Sequence, residues 1–138
     1  MARTRRCDLE ISRGRLRKAS QFLDNAHMIA ILADDEAATT DTCVTLYVHA
    51  GIAASDVICC VRLGEYSAGE DHNEALSLLN GADISAVRHL RVLLTLKTKA
   101  SYSHTPITKD EAKRAGRAAD ALVEAARLAF ATIGGPLR

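Results

Sequence analysis

The chain has 138 residues, 18 Lys and Arg against 17 Asp and Glu, and 48% hydrophobic residues with only 4% aromatic, no Trp and 2 Pro. That supports one continuous core but not two, and the abundance of alanine suits closely spaced helices better than a sheet core. The net charge of +1 conceals a division, since residues 1–30 carry 7 basic and 3 acidic side chains, 31–83 carry 1 and 10, and 84–138 carry 10 and 4.

In chain order, "MARTRRCDLEISRGRLRKAS" opens with basic residues but has no apolar run behind them, so it does not read as a signal peptide. Residues 1–11 are expected to be a flexible basic segment of a single domain, 1–138. A first helix is expected from about Ser12 to Asp34 or Asp35, with Leu16, Ala19, Leu23, Ala26, Ala30 and Ala33 in a heptad-like seam. Thr39, Thr40 and Asp41 are candidate N-caps for a second helix carrying Val44, Tyr47, Gly51, Ala54, Ile58 and Val61, which Gly64 should stop. Within it, "TCVTLYVHAGIAASDVICCV" is as long as a membrane span. Asp56 near its middle, with no Lys/Arg asymmetry at its ends, makes it instead the all-round buried helix of a soluble bundle.

"EYSAGED" reads as a loop, Asp71 and Glu74 open a short helix that Asn80-Gly81 closes, and Asp83 caps a fourth helix with Val87, Leu90 and Leu94 on one face. Pro106 then forces a corner, Thr108 and Glu111 form a capping box, and a fifth helix runs on Ala112, Ala115, Ala119, Leu122, Ala126, Ala129 and Ile133 to Gly134-Gly135-Pro136. Cys7, Cys43, Cys59 and Cys60 contain no C-x-x-C pair, so reduced, buried thiols in a cytoplasmic protein are expected, with no zinc.

The segment "LKTKASYSHTPITKDE" gathers the candidate chemistry: Lys97, Lys99, Tyr102 and His104 around one turn. Lysines at a helix C-terminus also oppose its dipole, and a histidine in a turn is most simply a solvent-facing corner residue. Tyr102 is expected to pack over the corner with its hydroxyl at the rim. The buried Asp56 needs a partner, for which Arg88 or Arg91 is expected. The basic residues Arg3, Arg5, Arg6, Arg13, Arg15, Arg17 and Lys18 could hold nucleic-acid phosphates through charge, with little sequence specificity because stacking aromatics are absent. The divided charge admits two outcomes: segments that attract each other, or two basic segments presented together to an anionic partner.

Taken together, "YVHAGIAASDVICCVRLG", "GEDHNEALSLL" and "LLTLKTKASYSHTPITKDEAKRAGRAADALVEAARLA" resemble the HEPN-domain family (higher eukaryotes and prokaryotes nucleotide-binding), over roughly residues 18–129. The resemblance implies an all-α, up-and-down bundle of four long helices plus one short helix. It also implies a homodimer, a bacterial toxin–antitoxin or defence setting, and a nucleotidyltransferase-type partner protein. Many members are metal-independent endoribonucleases whose motif is Arg, four to six residues, then His. Here Lys99 and Lys97 stand at those distances from His104, so the motif is degraded. The expectation is an interaction or nucleic-acid-binding component, with Arg13, Arg17, Lys18, Arg88, Arg91 and Tyr102 as candidate binding residues and RNA as a possible ligand. The alternatives are an endoribonuclease using His104 with Lys97 or Lys99, and a purely structural bundle. No metal, cofactor or membrane is expected.

Overall fold

The computed structural model describes residues 3–134, which form an all-α bundle of five helices with a small two-stranded ladder. Strand β1 (Thr4–Arg6) is followed by α1 (Leu9–Leu32), a 3-10 turn (Glu36–Thr39), α2 (Thr40–Leu63), β2 (Glu65–Ser67) and α3 (His72–Ala82). A second 3-10 turn (Ile84–Ala86) leads into α4 (Val87–Ser101), and α5 (Lys109–Gly134) closes the chain. The Gly135-Pro136 stop expected for the last helix lies outside the described residues.

Local chemistry fixes most helix ends. The Asp8 carboxylate accepts from the Ile11 N–H at 2.9 Å and starts α1 three residues before the expected Ser12. Gly64 takes a left-handed φ of 74° and donates its N–H to Cys60 O, the C′ geometry that ends α2. Asp71 accepts from the Asn73 and Glu74 N–H groups at the start of α3, while α3 itself runs one residue past Gly81. Asp83 caps the 3-10 turn that feeds α4 rather than α4 directly. At the head of α5 the capping box is reciprocal: Thr108 N–H donates to Glu111 Oε1 at 2.9 Å, and Glu111 N–H to Thr108 Oγ1 at 3.1 Å.

The core is built around α2. Cross-helix contacts pair Arg15 with Asp56, Phe22 with His49 and Ala26 with Cys43, so α1 runs antiparallel to α2. Thr45 lies against Ser101 and Gly51 against Leu93, which sets α4 antiparallel to α2 as well. Tyr47 against Gly116 and Gly51 against Leu122 make α5 parallel to α2. Two helices joined at these points can approach closely only where side chains are small, and Ala50, Gly51, Ala53 and Ala54 of α2 and Ala115, Gly116, Ala118 and Ala119 of α5 are all buried. The stretch Glu36–Leu63 is long and apolar enough to cross a bilayer, and here its sides are covered by the other helices, as the all-round apolar pattern led one to expect.

Three expectations are corrected. Of the basic segment expected to be flexible, Thr4–Arg6 form β1, which pairs antiparallel with β2 (Thr4 opposite Ser67, Arg6 opposite Glu65), and α1 begins at Leu9. Backbone pairing with a segment 60 residues away leaves no local periodic signal in three residues. Cys7 and Cys60 form a disulfide with Cα atoms 5.8 Å apart, so only Cys43 and Cys59 are free, buried thiols. The α1 seam holds at Ala19, Leu23 and Ala26 but fails at Ala30, which is exposed at the rim of a groove.

The first residues of α2 grip the corner between α4 and α5. Thr40 Oγ1 donates to Ile107 O at 2.8 Å and the Ile107 N–H donates to Asp41 Oδ1 at 2.9 Å, so both backbone groups of a buried residue are satisfied from one helix N-terminus. Thr40→Val keeps the shape but strands the Ile107 carbonyl, and it is expected to cost about 1–2 kcal/mol in urea unfolding. An unchanged midpoint would show that water replaces the hydroxyl.

Candidate nucleic-acid interface

The corner does not assemble the expected catalytic set. Lys99 Nζ lies 2.8 Å from Glu111 Oε1, and that bond, followed by the Thr108 N–H bond to the same carboxylate, holds Glu111 down at about 2. The charge of Lys99 is therefore already matched within the capping box. Lys97, two residues earlier, projects about 200° around the helix from Lys99 and lines a cavity beneath residues 67–72. His104 is exposed in the turn, where the Ser103 hydroxyl accepts the Thr105 N–H at 3.1 Å.

Tyr102 corrects the expectation of a packed ring, because it is 82% exposed. The buried residue of the corner is instead Ile107, 3% exposed and tied to α2. Asp56 corrects another: its partner is Arg15, with Nη2 at 2.8 Å and Nε at 3.0 Å from Oδ2, while Arg88 and Arg91 are exposed on α4. The type of partner was legible, but its position across helices was not.

A different surface brings charge together. Contacts between Arg13 and Phe130 (5.9 Å from guanidinium to ring centroid), Ser20 and Arg127 (3.3 Å), and His27 and Asp120 (2.7 Å) run in opposite order, so α1 and α5 lie antiparallel, side by side. Arg13, Arg17 and Lys18 are exposed on the first of these helices, and Lys113, Arg114, Arg117 and Arg127 on the second. Folding thus sets one helix from each basic third side by side, with Arg13 and Arg17 near Arg127 at one end of the shared face and Lys113 and Arg117 beside His27 and Ala30 at the other. Asp24, Asp120 and Glu124 interrupt the face, and Glu124 sits 3.8 Å from Arg127.

Between α1, α2 and α5 this face opens into a groove of about 260 Å³ bordered by Lys113 and Arg117. Inside it, the Tyr47 hydroxyl lies 3.1 Å from His27 Nδ1, and His27 Nε2 lies 2.7 Å from Asp120 Oδ1. Burial pushes the Tyr47 phenol up to about 12, so it stays a neutral O–H. The imidazole thus bridges the phenol and the Asp120 carboxylate through its two ring nitrogens. The phenol fits because position 116 has no side chain: a Cβ there would stand 3.2 Å from the Tyr47 ring. Sequence reading placed Tyr47 on the apolar seam of the second helix; Gly116 inside an alanine-rich helix was the local sign of the close approach. No protein-family model matches the chain, and no curated protein matches it.

Proposed function

We propose that the chain is a HEPN-like, homodimeric bundle of four long helices and one short helix, acting in the bacterial cytoplasm as the nucleic-acid-binding component of a toxin–antitoxin or defence-type module, beside a nucleotidyltransferase-type partner. One observation carries the binding reading: α1 and α5 pack as neighbouring antiparallel helices whose shared face leaves Arg13, Arg17 and Lys18 exposed at one end and Lys113, Arg114 and Arg117 exposed at the other. Such a surface recognises the phosphate backbone through charge and counterion release, with RNA single strands or duplexes as ligands and little base discrimination. Arg88 and Arg91 on α4 and Tyr102 at its C-terminal cap are exposed as well. The endoribonuclease reading through His104 has less support, because Lys99 is neutralised by Glu111 and Lys97 lies on another side of α4.

Fluorescence anisotropy with a labelled single-stranded RNA over a salt series tests the reading. Affinity is expected to fall steeply with salt, and Arg13→Ala/Arg17→Ala/Lys18→Ala is expected to make the log–log slope shallower by about 2, at roughly 0.7 per lost phosphate contact. Salt-insensitive binding, or none, would leave only a structural bundle. Light scattering at micromolar concentration checks the dimer, and RNA incubation with His104→Ala in EDTA checks the corner.

A further inference from the structure

Beneath the segment that joins β2 to α3 lies a cavity of about 120 Å³ that none of the surfaces above uses. Ile52, Leu90 and Leu94 give it an apolar floor, whereas Asp56, Ser67 and Lys97 give it polar walls. Its roof is held by the β1–β2 ladder, with Ser67 opposite Thr4, and by the disulfide from Cys7 to Cys60 just beyond it on α2. The N-terminal segment therefore shapes this cavity, and Arg15 on the following helix charges its wall by fixing Asp56.

Three polar groups there are incompletely used. Both Arg15 bonds go to Oδ2 of Asp56, and Oδ1 has no hydrogen-bond partner among the described residues. The Ser67 Oγ is buried and has no partner either. Lys97, half-buried, has no carboxylate within ion-pair distance among the described residues. A buried hydroxyl without a partner is rare, because it forfeits the full value of its lost hydrogen bonds to water. Of the neighbouring acids, Asp71 is engaged in capping α3 and Glu70 is exposed.

We infer that the cavity is a binding site for a small aliphatic amino-acid zwitterion, its ammonium on Asp56 Oδ1, its carboxylate on Lys97 and the Ser67 hydroxyl, and its carbon frame on Ile52, Leu90 and Leu94. A zwitterion meets a spare acceptor, Asp56 Oδ1, and a spare cation, Lys97, at once. A pure amine would leave Lys97 and Ser67 unmatched, and a pure acid would leave Asp56 Oδ1 unmatched. Size agrees: an apolar cavity of about 150 Å³ holds the six carbons of benzene, so 120 Å³ takes a molecule between alanine and valine in bulk.

Titration calorimetry and protein-observed NMR with L-alanine, L-valine and γ-aminobutyrate test this on the full chain at about pH 8, where Asp56 is ionised. At least one zwitterion is expected to bind with Kd of about 1 mM or tighter. Isobutylamine and isobutyrate, each lacking one charge, are expected to bind at least about tenfold more weakly. Lys97→Met and Ser67→Ala, checked for an unchanged thermal midpoint, should each weaken the zwitterion by about threefold or more. No shift with any of the three at about 50 mM, an amine or acid binding as tightly as the zwitterion, or affinity indifferent to both substitutions would overturn the assignment.

Discussion

Arg15→Met is expected to lower stability by about 3 kcal/mol at neutral pH, roughly a 10 °C fall in Tm for a chain of this size. It is expected to cost less than about 1 kcal/mol near pH 4. The reason is Asp56, whose side chain is 12% exposed in the middle of the most buried helix. Burial raises its carboxyl to about 6, with Arg15 working against that rise through its charge and hydrogen bonds. A carboxyl with a folded-state value above its unfolded 3.8 is held more tightly protonated by the folded chain, so the contribution of this group to stability is largest below about pH 4 and declines as pH rises to 6. A shift of that size corresponds to about 3 kcal/mol.

Without Arg15 the carboxyl titrates still higher and the decline extends past neutrality. Asp56→Asn should flatten the decline between pH 4 and 6, and Arg15→Met/Asp56→Asn should recover most of the stability lost in the single variant. Urea melts across pH measure all of this. A cost for Arg15→Met that is the same at pH 4 and pH 8 would mean that the pair is not what holds Asp56. Glu111 acts in the opposite direction: its lowered value means that its contribution is present above about 4.5 and is lost as pH falls toward 2, a limb that Glu111→Gln should remove.

Gly51→Ala is expected to destabilise by about 1–3 kcal/mol through overpacking, even though alanine is the better helix former by up to about 1 kcal/mol. A Cβ at position 51 collides with the Leu93 Cδ1 methyl and stands 3.2 Å from Leu122 Cδ1, and both leucines are fully buried. Leu93→Ala alone should cost about 2–5 kcal/mol by leaving a cavity. In the double variant the new methyl group occupies part of the space that Leu93 vacated, so the two costs should add to less than their sum by about 1 kcal/mol or more. Strict additivity in denaturant unfolding would mean that α2 and α4 separate to admit the methyl group, and that the close approach is not obligatory.

These two sites illustrate different degrees of legibility. Gly51 was readable as a small residue on the seam of an apolar helix, since the three-four rhythm of Val44, Tyr47, Gly51, Ala54 and Ile58 marks a face that a neighbour must meet. Its actual neighbours, Leu93 and Leu122, come from two other helices and leave no trace in the local pattern. Asp56 was readable as a buried acid needing a cation, but Arg15, 41 residues away, was hidden among seven basic residues of the N-terminal third.

By itself the sequence determined the all-α class, the buried status of α2, the Gly64 stop and the Thr108–Glu111 box, because each depends on residues within one or two helical turns. It also determined that the charge is divided into basic, acidic and basic thirds. Only the tertiary structure decided that α1 and α5 lie side by side, that Lys99 is consumed by Glu111 while Lys97 faces a cavity, that His27 links Tyr47 to Asp120, and that Cys7 meets Cys60. The physical cause is common to all of these. Hydrogen bonds, ion pairs and covalent bonds between distant segments act over a few ångströms, and those ångströms exist only after apolar burial has brought the helices together.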